Sequence, residues 1–71
     1  MIPKTADQME DLIMARGWYF VRQRGSHRIY KSFNDPRGFT IIPWHGGNRT
    51  LPPSTQRSIM RDTGLSDADL T

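Results

Sequence analysis

The residues best suited to chemistry lie in one short run, Arg22-Gln23-Arg24-Gly25-Ser26-His27-Arg28, which holds an imidazole among three guanidinium groups and no carboxylate. Cutting an RNA strand without a metal needs a base for the 2′-hydroxyl proton, an acid for the leaving 5′-oxygen and cations for the charge that builds on phosphorus. A histidine, with an unperturbed pKa of about 6.5, can serve as either proton carrier. Arginines bind phosphate oxygens through a planar fork and stabilise developing negative charge. The run nominates His27 as catalytic residue. It nominates Arg22, Arg24 and Arg28, with Ser26 and the downstream Lys31, as RNA contacts on one surface. Gly25 would supply the backbone freedom of a tight turn. The plainer alternative is a strand histidine with a backbone hydrogen bond, beside an ordinary turn glycine.

His45, after Pro43-Trp44 and before Gly46-Gly47, is a second candidate: an acid or base, a phosphate contact, or an exposed loop residue. Two histidines with only Asp35 between them, in a chain without cysteine, make a poor metal site, so no metal and no cofactor is expected. No glycine-rich phosphate loop, Ser-His-Asp set or carboxylate pair is present at useful spacing. Asp7, Glu10 and Asp11 read as helix-surface charges. Trp18, Tyr19, Phe20, Tyr30, Phe39 and Trp44 are core candidates first, although Tyr30 or Trp44 could instead stack on bases.

Composition narrows the class. Seventy-one residues suffice for one domain, residues 1–71, with a small core and a net stability of about 3–5 kcal/mol. A large substrate gripped on an open face is therefore favoured over a buried metabolite. The absence of cysteine excludes disulfides and suits a reducing cytoplasm. No apolar run approaches the roughly 20 residues of a membrane span, and the polar residues after Met1-Ile2-Pro3-Lys4 argue against a signal peptide. The net charge of +3 is unevenly spread: residues 16–61 hold nine of the ten basic residues against Asp35 alone, while both ends are acidic. Eight of the ten basic residues are arginine, which points to a polyanionic partner. A solvated basic surface that binds nothing is the alternative.

The pattern predicts the elements that must position these residues. Thr5 and Gln8 form a capping box for a helix over about Ala6–Arg16, with Met9, Leu12 and Ile13 on one face and Gly17 as its stop. Trp18 to Arg24 and His27 to Ser32 read as a hairpin. Phe39 to Trp44 reads as a third strand after the turn residues Asn34 to Gly38, and His45 to Arg49 as a flexible loop. A second helix spans Ser54–Thr63, with Gln56, Ile59, Met60 and Thr63 facing inward and Gly64 as its stop. Leu65 folds back on the core, and Ser66 with Asp69 caps a last turn ending at Leu70. The expected fold is α+β: a three-stranded antiparallel sheet with both helices on one face and the other face free.

Gly17-Trp18-Tyr19-Phe20-Val21-Arg22-Gln23-Arg24-Gly25-Ser26-His27 resembles the signature of HicA-type mRNA interferase toxins, the YcfA-like family of HicA–HicB toxin–antitoxin systems. Ile41-Ile42-Pro43-Trp44-His45 resembles the family's strand ending in P-x-H, and Ser54 to Ser66 its closing helix and Gly-Leu-Ser exit. The resemblance covers nearly the whole chain. It implies a fold like a double-stranded RNA-binding domain, helix-strand-strand-strand-helix. It also implies a metal-independent endoribonuclease that arrests translation by cutting mRNA, with His27 as the catalytic histidine. The implied partner is a HicB-type antitoxin that covers the active face. The toxin alone would be a cytoplasmic monomer and would form a larger assembly with its antitoxin. Two departures stand out: Arg28 occupies a position where many relatives have a second histidine, and the loop after His45 carries only Arg49 where relatives often hold several lysines. A non-catalytic module that binds double-stranded RNA by shape and phosphate contact is the competing reading.

Overall fold

The first helix begins where side chains replace its missing hydrogen bonds. The Thr5 hydroxyl accepts from the Gln8 N–H and the Gln8 side chain accepts from the Thr5 N–H, the expected capping box. In the computed structural model, which describes residues 1–71, this helix is α1, Ala6–Met14. It ends two residues earlier than the pattern predicts, and Gly17 (φ +88°) turns the chain into the sheet. Arg16 lies beyond the last turn, where it pairs with Asp69.

Strands β1 (Trp18–Arg24), β2 (His27–Ser32) and β3 (Phe39–Pro43) form one antiparallel sheet in the order β1-β2-β3. Trp44 lies just past β3, with its N–H donated to the Ser26 carbonyl. Helix α2, Pro53–Thr63, starts on a proline, whose lack of an N–H costs nothing in a first turn. Gly64 (φ +76°) ends it, and a short 3₁₀ turn, Asp67–Leu70, carries the Ser66–Asp69 capping box.

Both helices lie on one sheet face. Arg28 on β2 pairs with Glu10 on α1, and the Thr40 hydroxyl on β3 donates to Asp62 on α2 at 3.1 Å. Between the layers, Met9 and Ile13 meet Trp18, Tyr30, Ile42, Ile59 and Met60, and Leu51, Leu65 and Leu70 close the ends. Of the six aromatic core candidates, only Trp18 and Tyr30 are buried. Phe20, on the edge strand β1, and Phe39, on the sheet face away from the helices, keep large exposed areas.

The His45–Arg49 segment departs from the expected flexible loop. The α1 N–H groups of Ala6 and Asp7 donate to the carbonyls of Arg49 and Gly47 at 3.0 and 2.8 Å, and the Leu51 N–H donates to the Lys4 carbonyl. The loop thus satisfies donors that a helix start leaves without intrahelical partners. A Cβ on Gly47 would lie 2.9 Å from the Trp44 ring and 3.1 Å from Asp7, so only glycine lets these segments approach.

Gln56, fully buried in α2, donates to the Ile2 carbonyl at 2.7 Å and accepts from the Lys4 N–H at 3.0 Å. Replacing it strands two backbone groups, each costly to leave unpaired. Gln56→Ala is expected to lower stability by about 1–3 kcal/mol, a large share of the total for so small a domain. A urea midpoint unchanged from the parent protein would contradict this role.

Candidate nucleic-acid interface

Strict alternation along β1 would place Arg22 and Arg24 on the same side as Trp18 and Phe20, against the helices. The observed register prevents this. Phe20 pairs with Tyr30, but Arg22 pairs with Ile29, leaving Val21 as the extra residue of a β-bulge. Beyond the bulge the sides exchange. Arg22 and Arg24 join His27, Ile29 and Lys31 on the uncovered face, and Gln23 turns to the helix side opposite Arg28.

That face is ordered in three rows across the strands. Tyr19, Lys31 and Phe39 make the first, Arg22, Ile29 and Ile41 the second, and Arg24, His27 and Pro43 the third. His27 is exposed at the start of β2, with Arg24 as its direct cross-strand partner. Arg22, Arg24 and Lys31 are exposed, and no acidic residue stands in any row. The face is an open surface rather than a cleft.

The hairpin turn sets the position of His27. Gly25 has φ +57°, and a Cβ there would meet no atom within 4 Å, so glycine serves backbone conformation alone. The Ser26 carbonyl accepts the Trp44 N–H, which draws the residue after β3 to this turn. His45 follows immediately and is exposed at the same end of the sheet.

Arg28 does not share the surface expected for it. It lies on the helix side, donating to Glu10 at 2.9 Å and to the Tyr30 hydroxyl at 3.1 Å. Its guanidinium also stacks 4.4 Å from the Phe20 ring centroid and 4.1 Å from that of Trp44. Partial desolvation, the largest single influence on its pKa, acts downward. The Tyr30 hydrogen bond and the Tyr30 and Glu10 charges together outweigh it and raise the pKa. Glu10, expected to be an ordinary surface charge, is therefore the anchor of a cluster that also receives the Tyr30 hydroxyl hydrogen bond. Burial, and then that bond, push the Tyr30 hydroxyl well above its ordinary pKa. Tyr30 is fully buried and Trp44 is engaged with Arg28, so neither ring is free for the base stacking considered from sequence. Phe33, unremarked in the sequence, is the most exposed large apolar residue and packs on Tyr19 with ring centroids 4.3 Å apart.

A protein-family model described as "HicA toxin of bacterial toxin-antitoxin" matches residues 6–65, from the start of α1 through Leu65. No curated protein matches the chain at a significant level.

The geometry separates the arginines. Arg22→Ala and Arg24→Ala are each expected to lower the slope of log affinity against log salt for RNA by about 1, as a lost phosphate contact does. Arg28→Ala is expected to leave that slope unchanged and to destabilise the fold by about 1–3 kcal/mol. The reverse pattern in salt titrations and urea melts would contradict the assignment. Tyr30 supplies a pH test. Its folded pKa is raised, so its contribution to stability is complete below its ordinary pKa of about 10 and declines as pH rises toward the folded value. Urea midpoints from pH 9 to 11 should fall more steeply for the parent protein than for Tyr30→Phe, and parallel curves would count against this.

Proposed function

The chain belongs to the HicA toxin family, and we propose that it is an endoribonuclease that arrests translation by cutting mRNA in the cytoplasm, with His27 as its catalytic residue. Membership of a toxin–antitoxin family implies an antitoxin partner, and in this reading the partner is of the HicB type and covers the exposed face of the sheet.

The observation that carries the reading is the company His27 keeps. Two exposed arginines, Arg22 and Arg24, share its face of the sheet, and no carboxylate does. A phosphate seated on these guanidiniums would bring its ribose to the imidazole. In the proposed step the 2′-oxygen loses its proton and attacks phosphorus. The bond to the 5′-oxygen breaks, and that oxygen takes up a proton. His27 carries one of these two protons, and Arg22 and Arg24 offset the charge gathering on the phosphorane oxygens. Ser26 and Lys31 extend the grip on the backbone. His45, at the same end of the sheet, is the candidate for the other proton. In this reading both protons are moved by side chains, with the arginines as the only cations at the phosphate.

His27→Ala is expected to fold normally and to cut RNA about 10²–10⁴-fold more slowly. Its induction should not arrest growth, and a chelator should not slow the parent protein. Growth arrest and RNA cutting by His27→Ala at the parent rate would remove the assignment. Intact RNA with the parent protein, together with a salt-sensitive gel shift, would favour the non-catalytic module.

A further inference from the structure

The uncovered face has a second character at the end away from His27. Tyr19, Lys31 and Phe39 form a row across the sheet, and Phe33 packs on Tyr19. Phe33 is 75% exposed and Phe39 50% exposed. Large apolar rings held in water by a rigid sheet mark a contact surface. The packed arrangement also argues against chance exposure, because the Phe33 N–H is tied to the Gly17 carbonyl at 2.8 Å and holds the ring beside Tyr19. His27 and Lys31 are four residues apart on β2, so the row lies about 13 Å from the imidazole on the same face.

We propose that Tyr19, Phe33 and Phe39 form a stacking platform for unpaired RNA bases, and that the substrate is single-stranded where it crosses this face. The proposal rests on the ribonuclease reading and adds the strandedness of the substrate and the residues that select it. The occupant follows from charge and shape. The rings flank Lys31 and continue into Arg22 and Arg24 with no acidic residue among them, which complements a strand carrying phosphates on one side and flat apolar bases on the other. Bases paired in a duplex are stacked on one another and cannot lie flat on these rings. An unpaired strand can place its backbone along the cationic residues and its bases on the aromatic row. Any ring-bearing base suffices, so the platform selects strandedness and not sequence.

The test measures binding by fluorescence anisotropy, with the full chain carrying His27→Ala so that RNA stays intact. The probes are an unstructured single-stranded RNA, the same RNA annealed to its complement, and a version with abasic nucleotides. Phe33→Leu and Phe39→Leu, made in this background, keep an apolar side chain and remove the ring at exposed positions, and circular dichroism checks their fold. The single strand should bind more tightly than the duplex. Each substitution should weaken single-strand binding by about 5- to 150-fold, the range for a lost base–aromatic stack. Duplex and abasic RNA should bind all variants alike. Equal loss on all three probes, or no loss on the single strand, would overturn the proposal. So would unchanged RNA binding with weakened binding of purified antitoxin, which would make the row a protein-docking surface. If the parent protein cut no RNA while the phenylalanine-dependent preference persisted in His27→Ala, the platform would stand and the ribonuclease reading alone would fall.

Discussion

One extra residue in β1 sets the surface chemistry of this protein. Val21 breaks the alternation between Phe20, which faces the helices, and Arg22, which faces water beside His27. Without that interruption, Arg22 and Arg24 would point into a layer filled by Met9, Ile13, Tyr30 and Ile42. Burying two guanidiniums there would require anionic partners, and the carboxylate nearest on α1, Glu10, is already paired with Arg28. The bulge therefore reconciles an apolar start to the strand with a basic end.

The rest of the architecture holds that strand in place from the other side. Arg28, between the Phe20 and Trp44 rings and bonded to Glu10, joins β1, β2, α1 and the segment after β3. The same segment is drawn to Ser26 by the Trp44 N–H and to the start of α1 by the carbonyls of Gly47 and Arg49. The turn that presents His27 is thus anchored through Ser26, while the imidazole remains in solvent.

Much of this was legible in the sequence because it is local. The Thr5–Gln8 and Ser66–Asp69 caps, the Gly64 stop and the Gly25-Ser26 turn each depend on residues a few positions apart, and each is found where the pattern predicts. What the sequence concealed is non-local. A bulge depends on the partner strand's register, so the shared face of Arg22 and Arg24 was readable but not which side of the sheet it was. Arg28 beside His27 looked like a fourth member of the basic surface, and only the fold brings Glu10 to the opposite side of the strand. The loop after His45 looked mobile from its glycines, yet Gly47 allows it to pack against α1. Phe33 sits among turn residues and carried no signal of its exposure.

In the proposed reaction the ribose itself supplies the nucleophile on the face that bears His27. The most direct measurement is cleavage by purified protein, in chelator, of an RNA and of the same RNA with one 2′-deoxy nucleotide at the cut position, with the product ends identified. The all-ribose strand should be cut to a 2′,3′-cyclic phosphate and a 5′-hydroxyl, and the deoxy position should resist. Equal cutting at the deoxy position, or products ending in a 5′-phosphate, would contradict it.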